Sequence, residues 1–186
     1  MKNKLFQLIF ATTICISFAQ CNFAQTNIEN LKTNKEKNME EKNPFYKPND
    51  TAKVTLNDAD LKKILPAEVF EVARKKGTEY AFSGQYYKHA EVGTYHCVVC
   101  GNPLFKSNGK FESSCGWPSF FEPISDSAIH YYEDNTYGMH RIETRCGKCE
   151  SHLGHIFDDG PPPTYKRYCI NSVVLNFEKQ KTDESK

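Results

Sequence analysis

Eight cysteines fall into three groups along this chain of 186 residues, and their spacing limits the possible folds more than any other feature. Two lie in an apolar N-terminal run, four form two C-x-x-C pairs, and two stand alone in the C-terminal half. Two C-x-x-C pairs predict a four-thiolate zinc site, because zinc favours four soft ligands in a tetrahedron. The two isolated thiols can make and break one disulfide, which is typical of a thiol-redox enzyme. In that order, the groups are Cys15 and Cys21; Cys97, Cys100, Cys146 and Cys149; and Cys115 and Cys169.

Each C-x-x-C pair is a short turn that can present two sulfurs to one ion, as a zinc knuckle does. Gly101 follows the first pair and Gly147 lies within the second, and glycine permits the dihedral angles that such turns require. Two alternatives are open: a pair of structural disulfides, as in many secreted proteins, and a thioredoxin-like redox motif, which requires a strand–helix context. A zinc ion held by four cysteines would be structural, because no coordination position is left for substrate.

Residues 1–24 have the pattern of a secretory signal peptide: two lysines, an apolar run and then small residues. Cleavage after Ala19 or after Ala24 fits this pattern, and the apolar run is short for a membrane span. An uncleaved anchor and a lipid-bearing Cys21 are the alternatives, although Gln20 is bulkier than the residue that usually precedes a lipidated cysteine. We therefore expect an exported protein, in the periplasm or otherwise outside the cytoplasm.

The remainder of the chain divides by composition into a linker, a domain and a tail. Residues 25–44 are polar and almost free of large apolar side chains, so they cannot offset their ordering entropy and should form a flexible linker. Residues 45–178 should form a single domain, and 179–186 a disordered tail. Loss of the leader changes the formal net charge from +1 to −1, which leaves no basic patch for nucleic acid. Partners should be small molecules or other proteins, and we expect a monomer.

Helix signals are confined to the start of the domain. Asn57 and Asp58 can cap a short helix that reaches Leu65, and Pro66 suits the first position of a second helix. After Gly77, short runs rich in Tyr, Phe, Val and Ile alternate with Gly, Pro and Asn, which predicts antiparallel strands. The sequence therefore predicts a mainly β fold: an antiparallel β-sheet domain with short N-terminal helices and a pair of zinc knuckles. The predicted strands are 93–97, 128–133, 139–144 and 168–177.

The last predicted strand contains one of the two isolated cysteines. Because side chains on a strand alternate between its faces, Arg167, Cys169 and Asn171 should project on one side. A guanidinium next to a thiol favours the thiolate, which is the nucleophilic form. The alternative is a cysteine buried in the core, but an arginine on a core face would need a partner.

Three further side chains could assist these thiols. His152 and His155 precede the last strand and can accept or donate protons near neutral pH, although they could also be metal ligands or surface histidines. Trp117 follows Cys115 by two residues between Gly116 and Pro118, in a rigid loop where an indole can form the wall of a pocket. Cys115 itself lies between small residues, which gives it the mobility to reach a second thiol.

In combination, these motifs resemble the signature of the type B peptide methionine sulfoxide reductases, and the four knuckle cysteines are similar to the zinc-binding subset of that family. The resemblance covers about 56–177, and the Gly-Cys-Phe-Trp signature of type A reductases does not occur. Ser114 and Tyr80 differ from the residues that relatives often carry. The matching segments are Cys115-Gly116-Trp117-Pro118-Ser119-Phe120, His152-Leu153-Gly154-His155-Ile156-Phe157 with Asp159-Gly160-Pro161, Arg167-Tyr168-Cys169-Ile170-Asn171-Ser172, and 77–84.

The resemblance implies a role for each candidate residue. Cys169 would be the nucleophile and Cys115 the resolving cysteine, while Trp117 would pack on the methyl group of the substrate. One structural Zn²⁺ per chain would be held by the four knuckle cysteines. The polar side of the pocket would be lined by His152, His155, Arg167 and Asn171.

The implied reaction reduces methionine-R-sulfoxide in proteins to methionine. It would proceed through a cysteine sulfenic acid and an intramolecular disulfide, which a thioredoxin-like protein would reduce. Because the leader predicts export, the reductant should be an exported thioredoxin-like domain rather than a cytosolic one.

Overall fold

The computed structural model describes residues 43–48, 50 and 52–180. The predicted leader, most of the predicted linker and the end of the predicted tail lie outside the described residues, so these remain predictions. Within the described part of the chain, no helix is both long enough and apolar enough to cross a membrane.

Two short helices open the domain, as predicted. Helix α1 spans Asp58–Ile64, and the side chain of Asn57 caps it by accepting a hydrogen bond from the Ala59 amide. Helix α2 spans Ala67–Lys75 and directly follows Pro66. Its apolar face is buried. The helix ends at Lys76, which adopts the left-handed conformation that is usually taken by glycine, although the glycine here is the next residue.

Within residues 52–180, nine strands form two antiparallel sheets, which confirms the mainly β prediction. The three-stranded sheet has the order β2-β1-β9, and the six-stranded sheet has the order β3-β4-β8-β7-β6-β5. The predicted run 168–177 is two strands in different sheets, because a 3₁₀ turn at Ser172–Val174 redirects the chain. The strands are β1 Gly93–Cys97, β2 Pro103–Lys106, β3 Lys110–Phe111, β4 Ser119–Phe120, β5 Ile129–Asp134, β6 Arg141–Cys146, β7 His152–Phe157, β8 Arg167–Ile170 and β9 Leu175–Lys179.

Aromatic side chains join the two sheets in the core. Phe105 of β2 stacks on Phe120 of β4 with ring centroids 4.3 Å apart, and Tyr95 of β1 meets the same Phe120 edge-on at 5.1 Å. The ring of Tyr168 of β8 also contacts Phe105, with the centroids 5.7 Å apart. These rings bury one face of the six-stranded sheet, so its opposite face is left for polar side chains.

The described residues of the segment 43–54, namely 43–48, 50 and 52–54, pack over both C-x-x-C turns and are held there by a buried lysine. Lys148, only 5% exposed, donates hydrogen bonds to three backbone carbonyls, those of Lys47, Asp50 and Cys100. Asn43 adds a side-chain hydrogen bond of 2.9 Å to the carbonyl of Val99. A buried ammonium is tolerated only when its donors are satisfied, and here the carbonyls of the segment satisfy them.

We predict that Lys148→Met lowers the free energy of unfolding by about 3 kcal/mol, because three carbonyls, that of Cys100 in a buried contact, lose their donor. Lys53→Met, at an exposed position of the same segment, should change it by less than about 0.5 kcal/mol. Denaturant unfolding followed by circular dichroism measures both values. Equal stability of the two variants would contradict the clamping role of Lys148.

Candidate active site

Strand β8 is hydrogen-bonded on both sides, and this register places the candidate residues on one face of the six-stranded sheet. Cys169 lies opposite Ser119 of β4 and opposite His155 of β7. Arg167, two residues earlier, lies opposite Phe157. Directly opposed residues in antiparallel strands have their Cβ atoms about 5 Å apart and point to the same face. The predicted alternation is confirmed for Arg167 and Cys169, which are half-buried and are each followed by a buried residue, whereas Asn171 lies beyond the end of β8 and is buried.

The two isolated cysteines meet on this face. The sulfurs of Cys115 and Cys169 are 3.5 Å apart, and both residues are half-buried. Cys115 lies in the loop before β4, where Ser113 and Ser119 place their hydroxyl oxygens 2.9 and 3.4 Å from its sulfur. Gly116 makes this loop possible, because it has a φ of +92° and a Cβ there would lie 2.8 Å from Ala81.

The two sulfurs behave as one titrating pair that shares a proton. The pKa of Cys115 is lowered to about 4, because the thiol of Cys169 donates a hydrogen bond to it and the hydroxyls of Ser113 and Ser119 do the same. The pKa of Cys169 is raised, because its thiol is the donor to Cys115 and because it is partly buried. Arg167 acts in the opposite direction on Cys169 and favours its thiolate. One negative charge is therefore shared between the two sulfurs near neutral pH.

Arg167 is held in place by a carboxylate and a ring. Its Nε and one terminal nitrogen donate to the two carboxylate oxygens of Asp159 at 2.8 and 2.9 Å. Its guanidinium also lies 4.5 Å from the ring centroid of Phe157. This bidentate pair orients the positive charge and raises the pKa of Arg167, while the same contact lowers the pKa of Asp159.

Both candidate histidines contact buried or half-buried carboxylates. His155 places Nε2 2.7 Å from Oδ2 of Asp134, and His152 places Nδ1 2.8 Å from Oε1 of Glu143. The two imidazole rings are 5.5 Å apart. Burial lowers the pKa of His155, although its hydrogen bond to Asp134 acts in the opposite direction. His155 is therefore mainly neutral at pH 7.

Glu143 is the most enclosed carboxylate of this cluster, with a side chain only 3% exposed. Burial by itself would raise its pKa, but hydrogen bonds from His152, Arg145 and Lys76 lower it below the ordinary range. Lys76 comes from the end of α2, so this carboxylate also joins the helix to the sheet. His152 is 3% exposed and is fixed by this contact.

Trp117 and Asn171 are both tied to the segment that contains Glu79. The indole Nε1 of Trp117 donates to the carbonyl of Glu79 at 3.2 Å, and the side-chain oxygen of Asn171 accepts from the amide of Glu79 at 3.0 Å. Asn171 also donates to the carbonyl of Leu153, so its amide is bound to backbone on both sides. The carboxylate of Glu79 accepts from the amides of Ser172 and of the residue after it.

The four paired cysteines form a separate, buried cluster. Their ligand atoms all lie within 4.8 Å of one another. The sulfurs of Cys97 and Cys149 are 3.7 Å apart, and those of Cys100 and Cys146 are 3.5 Å apart. Four sulfurs at about 2.3 Å from a tetrahedral zinc would be separated by about 3.8 Å, so the spacing fits this metal. Asn102 donates to the sulfur of Cys146, as an outer-shell group of a metal site does.

Sequence reasoning identified the residues of both clusters but missed the groups that hold them. Asp159, Asp134, Glu143 and Glu79 each form a hydrogen bond with a candidate side chain. Asp159 lies within the Asp-Gly-Pro motif quoted above and Glu79 within 77–84, so a signal was present for these two. Asp134 and Glu143 gave none, because only the register of β5, β6 and β7 brings them to the histidines.

Comparison with known proteins agrees with this geometry. Residues 65–179 match the SelR domain family. The chain is 53% identical over 133 residues to the mitochondrial methionine-R-sulfoxide reductase B3 of Mus musculus, a match that covers 72% of this chain and 53% of the mouse protein. It is 50% and 54% identical to the peptide methionine sulfoxide reductases MsrB of Thioalkalivibrio sulfidiphilus and Pseudomonas putida, matches that cover 66% and 64% of this chain and 90% of each relative. The chain thus spans about half the length of the mouse relative.

The shared proton predicts an unusual pH dependence of alkylation. Because the pKa of Cys115 is about 4, its thiolate is fully formed above about pH 5, and its rate of reaction with iodoacetamide should be constant from there to pH 8. The thiol of glutathione, as a control, should react about ten times more slowly with each unit below pH 8. Peptide mapping of the alkylated protein measures the rate at Cys115. A tenfold fall per pH unit at this residue would contradict the lowered pKa.

Proposed function

The chain belongs to the SelR domain family, the type B methionine sulfoxide reductases, and on this basis we propose that it reduces methionine-R-sulfoxide in proteins through the sulfurs of Cys169 and Cys115. As a member of this family the protein is an oxidoreductase that acts on methionine sulfoxide. The observation that supports the proposed mechanism is the 3.5 Å separation of two half-buried sulfurs on the polar face of the sheet.

In the first step, the sulfur of Cys169 attacks the sulfoxide and takes its oxygen. The S–O bond of the sulfoxide breaks, methionine leaves with its sulfur reduced by two electrons, and Cys169 becomes a sulfenic acid. The oxygen needs one proton, which the pair of sulfurs already holds. His155, opposite Cys169 in the sheet, is the group that passes this proton to the oxygen.

In the second step, the thiolate of Cys115 attacks the sulfur of the sulfenic acid. An S–S bond forms, and the oxygen leaves as hydroxide, which is protonated to water. The lowered pKa of Cys115 suits this role, because the attacking sulfur is already a thiolate at neutral pH. A dithiol donor then reduces the disulfide by exchange and restores both thiols.

Trp117 provides the apolar side of the proposed pocket. Its ring is half-buried and is fixed by the hydrogen bond to the carbonyl of Glu79, so it offers a rigid surface to the methyl group of the substrate. Arg167 and His155 supply the polar side. A sulfoxide is chiral at sulfur, so opposed apolar and polar walls discriminate between its two epimers.

Zinc is the metal that we propose for the four-cysteine cluster. Cys97, Cys100, Cys146 and Cys149 would complete its tetrahedral shell, which leaves no position for substrate. The ion would join the turn after β1 to the turn after β6, and it would keep these four thiolates out of the redox chemistry.

Export from the cytoplasm, with a thioredoxin-like reductant outside it, is also part of the proposal. It is supported by the pattern of residues 1–24, and an oxidising compartment would keep the Cys115–Cys169 disulfide formed until such a donor reduced it. We predict that the mass of the mature protein corresponds to a start at Gln20 or Gln25. A lipid-modified Cys21 would instead indicate a lipoprotein, and an intact Met1 in a cytosolic fraction would contradict export.

We predict that the protein reduces the R epimer of peptide methionine sulfoxide with dithiothreitol and leaves the S epimer unchanged. Cys169→Ser should abolish this activity, because it removes the nucleophile. Cys115→Ser should produce one methionine per chain and then stop with thioredoxin as the donor. Chromatographic measurement of methionine tests all three statements. If Cys169→Ser retains the single turnover and Cys115→Ser loses it, the two roles are reversed.

We predict about one zinc ion per purified chain. Removal of the ion by a chelator should unfold the domain, because the metal shell joins two turns of the sheets. Elemental analysis and circular dichroism measure the two effects, and Asp60→Asn, at an exposed helical position, is the control that should retain the metal. A metal-free protein with the four cysteines in disulfides would contradict the prediction.

A further inference from the structure

Asp134 lies at the end of β5, at the edge of the candidate site and outside the residues assigned so far. It is the last residue paired across the β5–β6 hairpin, opposite Arg141. Its side chain is 13% exposed. The carboxylate accepts hydrogen bonds from four groups: the hydroxyl of Thr136 at 2.6 Å, the amide of the same residue at 3.0 Å, Arg141 at 2.6 Å and His155 at 2.7 Å.

Four donors keep this carboxylate ionised. The hydrogen bonds from Thr136 and His155, together with the positive charge of Arg141, lower the pKa of Asp134 below the ordinary range of an aspartate. An ionised carboxylate can only accept hydrogen bonds, so the proton in the contact with His155 must lie on Nε2 of the imidazole. In neutral His155, Nδ1 then carries the lone pair.

The direction of the imidazole follows from the same contact. Nε2 points along the sheet to β5, and Cys169 lies on the other side of His155, opposite it on β8. The sheet order β5-β6-β7-β8 therefore places His155 between the carboxylate and the sulfur.

From this geometry, and resting on the proposed function, we propose that Asp134 is a positioning residue that holds the proton of His155 on Nε2 and so leaves Nδ1 as the acceptor for the proton that Cys169 shares with Cys115. In the proposed step, the proton that the two sulfurs share passes to Nδ1 as the sulfur of Cys169 attacks, and Nδ1 gives it to the oxygen that leaves the sulfoxide. The proton count balances, because one proton leaves sulfur and one reaches oxygen. Asp134 keeps its charge throughout and stabilises the transient imidazolium.

The charged groups around His155 set the pH range of this step. Asp134 faces it from β5, Arg141 and Glu143 from β6, His152 from β7, and Cys169 with Arg167 from β8. Burial lowers the pKa of His155 and Arg141 lowers it further, whereas Asp134 raises it. Because Nδ1 must be unprotonated to accept the thiol proton, activity should fall as the pH drops through the pKa of His155.

Two variants should move this pH limit in opposite directions. Asp134→Asn removes the charge that raises the pKa of His155, so the pH below which activity falls should become lower. Because the tautomer of His155 is no longer fixed, kcat should also fall on the order of 100-fold with little change in KM. Arg141→Gln removes a charge that lowers the pKa of His155, so the limit should move to higher pH. If the β5–β6 hairpin had only a structural role, the pH below which activity falls would shift in the same direction in both variants, or would not shift in either.

The experiment combines NMR titration of the His155 ring with kcat and KM for peptide methionine-R-sulfoxide between pH 4 and 9, with dithiothreitol as donor. Glu133→Gln is the matched control, because this exposed neighbour projects from the other face of the same strand and should leave all values unchanged. Asp134→Glu retains the charge and should restore the titration of His155 toward that of the unaltered protein.

The proposal is overturned if His155 titrates identically in Asp134→Asn and in the unaltered protein, or if its nitrogen shifts place the proton on Nδ1. The titration does not depend on turnover. If the unaltered protein failed to reduce the R epimer, the proposed function would fail, while the titration would still decide whether Asp134 orients His155.

Discussion

Hydrogen bonding on both edges of β8 is the constraint on which the site depends. Cys169 occupies the only position in this strand that lies opposite Ser119 on one side and His155 on the other. A slip of the strand by one residue would turn Cys169 toward the aromatic core and bring Tyr168 to the polar face. Such a slip would be costly because it would disrupt the packing of Phe105, Phe120 and Tyr168. The packing of the apolar face therefore determines which side chains lie on the polar face.

The two groups of cysteines differ in burial: the buried group suits a structural site, and the half-buried pair suits redox chemistry. The knuckle cysteines are buried beneath the segment 43–54, which Lys148 holds in place, whereas Cys115 and Cys169 are half-buried and can be reached by a substrate. Four sulfurs near one point suit a metal ion, and two sulfurs that share one proton suit a disulfide. The six described cysteines thus form two separate clusters.

The sequence was sufficient for the helices, the β class and the two clusters, because capping residues, short β-rich runs and cysteine spacing are local signals. It did not predict β7 at His152–Phe157 or the break between β8 and β9. The first has glycine between its histidines, a weak strand pattern, and the second depends on Glu79 binding the amides of the 3₁₀ turn from far along the chain. Asp134 and Glu143 were not predicted either, because only the register of the strands brings these carboxylates to the site.

The central claim is that one sulfoxide is reduced at the expense of one pair of thiols. Its most direct measurement is a single turnover of the fully reduced protein with excess peptide methionine-R-sulfoxide and no donor, in which methionine formed, thiols lost and disulfide-linked peptides are determined in the same sample. We predict one methionine and two lost thiols per chain, with Cys115 linked to Cys169. A disulfide from either of these residues to a knuckle cysteine, or methionine formed without loss of thiol, would contradict the claim.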